Sequence, residues 1–186
     1  MDKPVIEKPS KETFAQMKKV EQMLKELKWP SYRVQAKEKS QNRANVVQGG
    51  KAGGEGKVVT AFAMGKVRHY FKTGLVDSQY NKKFPELYRE LRKLVRIHNP
   101  SFRYSSIQLN CGTKTAWHYD KNNKGLSYCL GLGSYTGGGV DVKQDGKVTR
   151  YNNNGKFLKY SGCGLEHRTA PGAKGLRYAL IFYNRK

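Results

Sequence analysis

The stretch that decides the fold runs from Ile107 to Val142 and is IQLNCGTKTAWHYDKNNKGLSYCLGLGSYTGGGVDV. Two apolar runs, Ile107–Asn110 and Leu126–Leu132, predict two strands joined by a polar loop. That loop contains His118 and Asp120, an imidazole and a carboxylate separated by one residue. Chemical side chains placed at strand ends are held by a rigid scaffold, so this loop is the first candidate for a functional site.

A second histidine and an arginine extend the candidate site. His167 follows the short apolar run Phe157–Tyr160, and Arg177 opens the strand-like run Arg177–Tyr183. Two histidines and one carboxylate are the ligand set that holds non-haem Fe(II) on one face and leaves the opposite positions open. An arginine can bind a carboxylate through two parallel hydrogen bonds. The four residues together predict an oxygenase that uses an organic acid as co-substrate.

From about Phe102 onward the sequence resembles the Fe(II)/2-oxoglutarate dioxygenases, and within them the TET/JBP group, which hydroxylates the methyl group of pyrimidine bases in nucleic acid. The resemblance lies in the stretch quoted above and in LEHRTAPGAKGLRYALIFY, residues 165–183. It implies an α+β, β-rich fold whose core is a double-stranded β-helix, a jelly roll of the cupin kind, buttressed by N-terminal helices. Unlike the larger relatives, this sequence has no cysteine-rich zinc module and no separate DNA-targeting domain.

The resemblance also implies a role for each site residue. His118, Asp120 and His167 are the expected catalytic ligands of Fe(II), and Arg177 is the expected partner of the distal carboxylate of 2-oxoglutarate. Asn110 lies where family members often place a polar residue near the co-substrate. The expected cofactors are Fe(II), 2-oxoglutarate and O₂, and the expected reaction is oxidation of the 5-methyl group of 5-methylcytosine or thymine in DNA.

The charge of the chain indicates a polyanionic partner. Lys and Arg number 36 against 14 Asp and Glu, for a formal net charge of +22. This excess favours nucleic acid, and we expect DNA. Three lysines flank the His118–Asp120 loop and are candidate phosphate contacts: Lys114, Lys121 and Lys124. Five aromatic residues could line a base pocket, although most should belong to the core: Tyr119, Tyr128, Tyr135, Phe182 and Tyr183.

The three cysteines, Cys111, Cys129 and Cys163, form no Cys-x-x-Cys pair and predict neither a zinc knuckle nor a disulfide framework. A reducing, intracellular compartment fits them: the nucleus in a eukaryote, otherwise the cytoplasm. No run approaches the roughly 18 apolar residues of a membrane span, so we expect no membrane partner.

The front of the chain predicts helices around this core. Residues 1–10 are expected to be frayed, and Ser10 caps a helix with Phe14, Met17, Val20, Leu24 and Leu27 on one face, ended by Trp29-Pro30. Val58–Tyr70 predicts one or two strands, and Phe84–His98 a second helix with Pro85 in its first turn. Three interpretations of the glycine-rich residues 48–57 remain open. They could form a loop that closes over substrate, a strip that contacts phosphates, or an exposed loop with no direct role.

We expect one domain over residues 1–186, with a helical buttress and substrate-side loops in 1–100 and the β-helix core with the metal site in 101–186. Within the core, Asp145-Gly146 predicts a tight hairpin between Val140–Gln144 and Lys147–Tyr151, and Asn153–Gly155 a further turn.

Two alternatives to the pyrimidine-methyl oxidase remain open. One is the same iron chemistry on another substrate, as in an AlkB-like nucleic-acid demethylase or a protein hydroxylase. The other is a non-catalytic basic nucleic-acid-binding module whose triad is vestigial or holds structural zinc. A closed zinc site would need a fourth protein ligand, and the sequence offers no obvious candidate.

Overall fold

The computed structural model of the chain describes residues 2–33, 58–69 and 73–186. The glycine-rich stretch 48–57 and Tyr70, the last residue of the predicted strand region, lie outside the described residues. No helix in the described ranges is both long and apolar enough to cross a membrane.

Helix α1 spans Lys11–Glu26 and begins where the sequence predicts, because the Ser10 hydroxyl accepts a hydrogen bond from the backbone N–H of Thr13 at 3.1 Å. Its C-terminal end is closed by Trp29, whose indole N–H donates to the carbonyl oxygen of Leu24 at 2.9 Å. Phe14 departs from the predicted apolar face and is 49% exposed. Thr13 and Gln16 are buried in this part of the helix instead. The side-chain amide of Gln16 donates a hydrogen bond to the Glu90 carboxylate at 2.8 Å.

Two further helices follow: α2, Gln79–Lys83, and α3, Pro85–His98. The prediction for α3 is confirmed, with Pro85 in the first turn and Leu87, Leu91 and Leu94 buried. Helix α2 was not predicted, because five residues are too short to show a helical period. Helices α1 and α3 pack on one face of a large sheet and form with it the main apolar core.

The large sheet contains eight strands of the described residues. Seven lie in the spatial order β1, β10, β6, β13, β5, β3, β2, and β4 pairs with β3. Their ranges are β1 Val5–Glu7, β2 Ser31–Arg33, β3 Val58–Arg68, β4 Leu75–Asp77, β5 Ser106–Cys111, β6 Asn123–Leu132, β10 Phe157–Tyr160 and β13 Tyr178–Arg185. All these pairings are antiparallel.

A smaller sheet faces the large one. Its strands are β8 Val140–Gln144, β9 Lys147–Tyr151 and β11 Glu166–Thr169, in the spatial order β11, β8, β9. Two short strands, β7 Tyr135–Thr136 and β12 Lys174–Gly175, pair with each other separately. The predicted β8–β9 hairpin is confirmed, with positive φ at Asp145 (50°) and Gly146 (75°) as a type I′ turn requires. Two antiparallel sheets around one interior form the expected jelly roll, so the predicted β-rich fold class is confirmed.

The two faces of the large sheet have different partners. Alternate residues of β5 point to opposite faces, so Ile107 and Leu109 pack against the helices while Gln108 and Asn110 lie on the other face. On that second face, Cys129 and Leu158 meet Val142 of the small sheet in a second apolar cluster. This cluster marks the interior of the β-helix.

Residues 2–10 include strand β1 and the cap of helix α1, so the prediction of a frayed segment is wrong for the described part of this stretch. Strand β1 pairs with β10, and the Glu7 carboxylate accepts a hydrogen bond from the Tyr128 hydroxyl at 2.6 Å and contacts His98 Nε2 at 2.9 Å. Three residues are too few to show strand periodicity. Strands β1, β2 and β3 all join the large sheet, so residues 1–100 supply strands to the core as well as helices. The ring of His98 also stacks on that of Phe157, with centroids 4.1 Å apart.

Candidate metal centre

Three predicted ligands converge between the two sheets. His118 and Asp120 lie in the loop between β5 and β6, and His167 lies in β11. The Asp120 carboxylate is between the two rings, with Oδ1 at 3.6 Å from Nε2 of His118 and Oδ2 at 3.6 Å from Nε2 of His167. One ligand atom from each residue lies within 4.8 Å of the other two. This spacing suits a single cation bound by all three.

Backbone pairing holds the two histidines together. His118 and His167 each donate the backbone N–H to the other's carbonyl oxygen, at 2.9 and 3.0 Å. The pairing extends to Thr115 and Thr169, whose hydroxyls lie 3.0 Å apart. The ligand loop therefore acts as an additional strand at the edge of the small sheet, and the separation of the two rings is set by main-chain hydrogen bonds.

Both imidazoles present the same nitrogen to the centre. Nδ1 of His118 lies 2.7 Å from the carbonyl oxygen of Ala116, and Nδ1 of His167 lies 2.9 Å from that of Leu165. A carbonyl oxygen can only accept, so in each ring Nδ1 donates to that oxygen and Nε2 faces Asp120. Such a second partner is usual for metal-binding histidines, because it fixes the tautomer and the ring orientation.

Burial favours the neutral form of the inner histidine. It lowers the pKa of His167, and the neighbouring His118 adds to that effect, while the negative charge of Asp120 opposes it. The ring of Tyr160 stands edge-on to that of His167, with centroids 5.1 Å apart. Burial and the Asp120 charge raise the pKa of Tyr160 well above its ordinary value, so its phenol stays protonated. A neutral His167 is the form that can donate its lone pair to a metal.

Two residues that the sequence did not single out fix the Asp120 carboxylate. The side-chain amide of Asn123 donates to Oδ2 at 3.2 Å. On the other side, a Cβ atom on Gly162 would lie 2.7 Å from the same oxygen, closer than any side chain permits. The Gly162 carbonyl also accepts the Asp120 N–H at 2.9 Å. Only the position of Asn123, three residues after Asp120, could have suggested a role, and Gly162 gave no local signal.

Arg177 is buried at the start of β13, with only 8% of its surface exposed. Its Nε and the hydroxyl of Tyr135 are both buried without a hydrogen-bond partner among the described residues. The guanidinium carbon lies 5.9 Å from the centre of the Tyr135 ring. Burial raises the pKa of Tyr135 and the positive charge of Arg177 opposes this rise, so the hydroxyl remains a donor. Two buried donors without acceptors are costly unless an anionic group lies between them.

Glycine makes room beside this pair. A Cβ atom on Gly131 of β6 would collide with the Tyr135 hydroxyl. Cys129 lies two residues earlier on the same face of β6. Burial raises the pKa of its thiol, and the nearby positive charge of Arg177 partly opposes that rise. The charge of Asp120 also acts on Cys129, so this side chain lies between the triad and the arginine.

The remaining predicted residues are placed as follows. Asn110 is 8% exposed and lies on the interior face of β5, opposite Ala179. Arg168, a second arginine near His167 in the chain, donates to Asp141 at 3.0 Å and covers the ring of Trp117. The three candidate phosphate contacts are all exposed: Lys114, Lys121 and Lys124.

The aromatic residues proposed for a base pocket belong mainly to the core. Tyr128, Tyr135, Phe182 and Tyr183 are each less than 7% exposed, whereas Tyr119 is 44% exposed. Of the five, Tyr119 is therefore the one available at the surface.

Comparison with known proteins supports the fold. No protein-family model matches the chain, and no curated protein sequence is significantly similar to it. Among solved structures, NgTET1 in complex with 5mC DNA matches with a TM-score of 0.50 and 13% identity. That match covers 68% of this chain and 61% of the NgTET1 chain, so the chain spans about three fifths of that protein's length.

Other structures match over nearly the whole chain. A 2OG-Fe(II) oxygenase family protein from Burkholderia pseudomallei has a TM-score of 0.55 at 15% identity, covering 97% of this chain and 84% of its own. A prolyl hydroxylase from Trichoplax adhaerens, in complex with a hypoxia inducible factor peptide, has a TM-score of 0.54 at 13% identity, covering 98% and 83%. The chain thus has the fold of the 2-oxoglutarate–Fe(II) oxygenases, as predicted.

Proposed function

We propose that this protein is an Fe(II)- and 2-oxoglutarate-dependent dioxygenase in which His118, Asp120 and His167 bind the metal. The observation that carries the proposal is the convergence of two Nε2 atoms on one carboxylate, with each Nδ1 held by a main-chain oxygen. Two imidazoles and one carboxylate leave half of an octahedron open, which suits Fe(II) with an exchangeable co-substrate. A structural zinc site would instead be closed by a fourth protein ligand, and no group of four such ligands is found in the described residues.

The unmatched donors of Arg177 and Tyr135 could hold the co-substrate. The Nε atom of Arg177 and the Tyr135 hydroxyl are buried and lack acceptors among the described residues, and a carboxylate would satisfy both. Gly131 leaves the space that a side chain would fill. In this arrangement Arg177 would hold the distal carboxylate of 2-oxoglutarate, and His118, Asp120 and His167 would hold the metal.

When bound, iron, 2-oxoglutarate and O₂ supply the oxidation of an unactivated C–H bond. The chain's own residues bind, orient and exclude water. Asn123 and Gly162 restrict the rotation of Asp120, and the two main-chain oxygens hold the imidazoles. Leu158, Val142 and Leu165 supply an apolar interior beside the ligands, which limits access of water to the reacting centre.

For the substrate, we propose the 5-methyl group of 5-methylcytosine or thymine in DNA. A formal charge of +22 favours a polyanion over a neutral peptide or a small molecule. The likeness to NgTET1, which was solved with 5mC DNA, points in the same direction. A base inside a duplex cannot reach a centre between two sheets, so the target must be flipped out or single-stranded.

A protein hydroxylase is the second candidate. The prolyl hydroxylase from Trichoplax adhaerens matches over 98% of this chain, against 68% for NgTET1. The net charge decides our preference for nucleic acid, because a prolyl peptide gives no reason for an excess of 22 positive charges.

The test combines product analysis with a ligand variant. The protein is loaded anaerobically with Fe(II) and 2-oxoglutarate, mixed with methylated DNA and RNA oligonucleotides or with proline-containing peptides, and then exposed to O₂. We expect 5-hydroxymethyl pyrimidines in the nucleoside digest of DNA, and none with His118→Ala. Release of formaldehyde would indicate N-demethylation, and hydroxyproline would indicate the protein hydroxylase. Succinate without any modified nucleoside across the nucleic-acid panels would reject the proposed substrate and leave the oxygenase in place.

A further inference from the structure

Asn153 is a fully buried amide in the connection between β9 and β10. Its Nδ2 atom donates to the carbonyl oxygen of Cys129 at 3.2 Å and lies 3.3 Å from the sulfur of the same residue. A carbonyl oxygen can only accept, so the nitrogen is the end of the amide that faces Cys129. The oxygen, Oδ1, is buried and receives no hydrogen bond from the described residues.

This oxygen lies close to the two unmatched donors. A Cβ atom on Gly131 would be 3.4 Å from Oδ1 of Asn153, and it would collide with the Tyr135 hydroxyl. The guanidinium carbon of Arg177 is 5.9 Å from the centre of the Tyr135 ring. The Nε atom of Arg177 and the Tyr135 hydroxyl are the buried donors without acceptors. One acceptor and two donors, none of them matched by the described residues, therefore share this part of the interior.

The position of Asn153 does not depend on Oδ1. Gly131 donates its backbone N–H to the Asn153 carbonyl oxygen at 3.0 Å, and Gly155 donates to the Gly131 carbonyl oxygen at 2.8 Å. The contacts of Nδ2 with Cys129 add to these main-chain bonds. A structural role thus accounts for the nitrogen of the amide and leaves the oxygen unexplained, although a buried acceptor without a donor is destabilising.

A carboxylate cannot match all three groups. An ionised carboxylate only accepts hydrogen bonds, so it can bind Arg177 and Tyr135 but offers nothing to Oδ1 of Asn153. A terminal carboxamide has an oxygen that accepts two hydrogen bonds and an NH₂ group that donates two. Its oxygen could bind Arg177 and Tyr135 while its nitrogen donates to Asn153.

We propose that Asn153 is a specificity-determining residue of the co-substrate site, and that it lets the site bind a 2-oxo acid ending in a carboxamide in competition with 2-oxoglutarate. This inference rests on the proposed binding of 2-oxoglutarate at Arg177. The carboxylate of 2-oxoglutarate has the advantage of pairing with the charge of Arg177. The carboxamide lacks that charge and gains the hydrogen bond to Asn153.

The first experiment compares three ligands of equal length on the wild-type protein loaded with Mn(II). All three carry the same oxalyl group, which serves as the keto acid end. N-oxalylglycine ends in a carboxylate and N-oxalylglycinamide in a carboxamide. N-oxalylaminoacetone ends in a methyl ketone, which has the shape of the carboxamide but no donor. Calorimetric titration measures the Kd of each.

We expect the carboxamide to bind at least about tenfold more tightly than the methyl ketone, because a site that hydrogen-bonds a ligand N–H discriminates against the analogue that lacks it. The carboxylate should bind most tightly of the three, through Arg177. Equal Kd values for the carboxamide and the ketone would overturn the proposal, since Oδ1 of Asn153 would then take its donor from solvent.

The second experiment repeats the titrations with Asn153→Leu, which removes the acceptor at similar side-chain volume. The preference for the carboxamide over the ketone should fall below about threefold. Asn152→Leu is the matched control, because Asn152 is exposed in the same connection, and it should keep the full preference. Retention of that preference in Asn153→Leu would overturn the proposal. If circular dichroism shows that Asn153→Leu does not fold, the ligand series on the wild-type protein decides the matter alone.

The same titrations separate this inference from the proposed function. Tight binding of the carboxylate, with equal binding of the carboxamide and the ketone, would reject the role of Asn153 and leave 2-oxoglutarate as the co-substrate. Failure of all three ligands to bind the Mn(II)-loaded protein would reject the co-substrate site and the role of Asn153 together.

Discussion

His118 and His167 donate their backbone N–H groups to each other's carbonyl oxygen, at 2.9 and 3.0 Å. The backbones of the two proposed metal ligands are thus hydrogen-bonded to each other independently of their side chains. A substitution that removes one of the two imidazole rings should therefore leave the sheet intact. Variants of these ligands thus report on metal binding rather than on folding.

We expect His118→Ala and Asp120→Ala each to weaken Fe(II) binding by at least about 100-fold, because two ligands hold a hydrated cation far less well than three. Anaerobic calorimetric titration, with Mn(II) as a second probe, measures this directly. The far-ultraviolet circular dichroism of the metal-free variants should match the wild type. His69→Ala, at an exposed position outside the triad, serves as the control. Wild-type metal affinity in either triad variant would disprove the ligand assignment.

Arg177→Met should raise the apparent KM for 2-oxoglutarate strongly and change metal affinity much less, since the arginine is not one of the three ligands and its proposed partner is the distal carboxylate. Arg168→Met is the matched control, because that arginine pairs with Asp141. Succinate production at varied 2-oxoglutarate gives both constants. An unchanged KM in Arg177→Met, together with a raised one in the control, would transfer the role to Arg168.

Gly162→Ala should impair metal binding without replacing a ligand. The added methyl group would lie 2.7 Å from Oδ2 of Asp120, so the carboxylate must move. We expect affinity for Fe(II) to fall by about tenfold or more, as for other residues that support metal ligands. Asn123→Ala, which removes the hydrogen bond to the same oxygen, should act in the same direction. Metal affinities equal to wild type in both variants would show that Asp120 needs no such restraint.

Glu90 should make the fold sensitive to acid. The hydrogen bond from Gln16 is the main cause that lowers the pKa of this carboxyl from 4.5 to about 2. A depressed pKa means that the stabilisation is complete above pH 4.5 and is lost as the pH falls toward 2. After allowance for solvent screening, we expect Glu90→Gln to cost about 1–2 kcal/mol at pH 7.

Urea unfolding at pH 7, 4 and 3 tests this expectation. The difference between Glu90→Gln and the wild type should shrink as the pH falls. Glu86→Gln provides the control, since Glu86 is exposed on the same helix and pairs with Arg89 at the surface. A constant difference at all three pH values would mean that the charge of Glu90 does not contribute.

The sequence predicted those parts of the fold that leave a local pattern. Helices α1 and α3 showed helical periods, with a cap at Ser10 for α1 and a first-turn proline for α3. The Asp145-Gly146 hairpin showed its turn residues. Strand β1 and helix α2 left none, because both are short and owe their conformation to distant partners such as His98. Phe14 shows the limit of periodicity, since it fits the apolar face in sequence but is exposed beside a polar contact between α1 and α3.

The candidate site divides in the same way. His118, Asp120, His167 and Arg177 were recognisable from residue type and spacing together with the family resemblance. Tyr135 and Gly162 come near the site only through chain reversals, and their roles follow from an unmatched hydroxyl and a missing side chain. Neither property is visible before the strands are placed beside one another.

Strand β1 has a further consequence for handling the protein. It covers the outer edge of β10 with only three residues, Val5–Glu7. Deleting them would leave β10 with a row of unpaired backbone groups next to the apolar residue Leu158, and such an edge can recruit a second molecule. A tag fused ahead of Val5 is therefore safer than a truncation, because shortened forms of this protein would tend to associate edge to edge and precipitate.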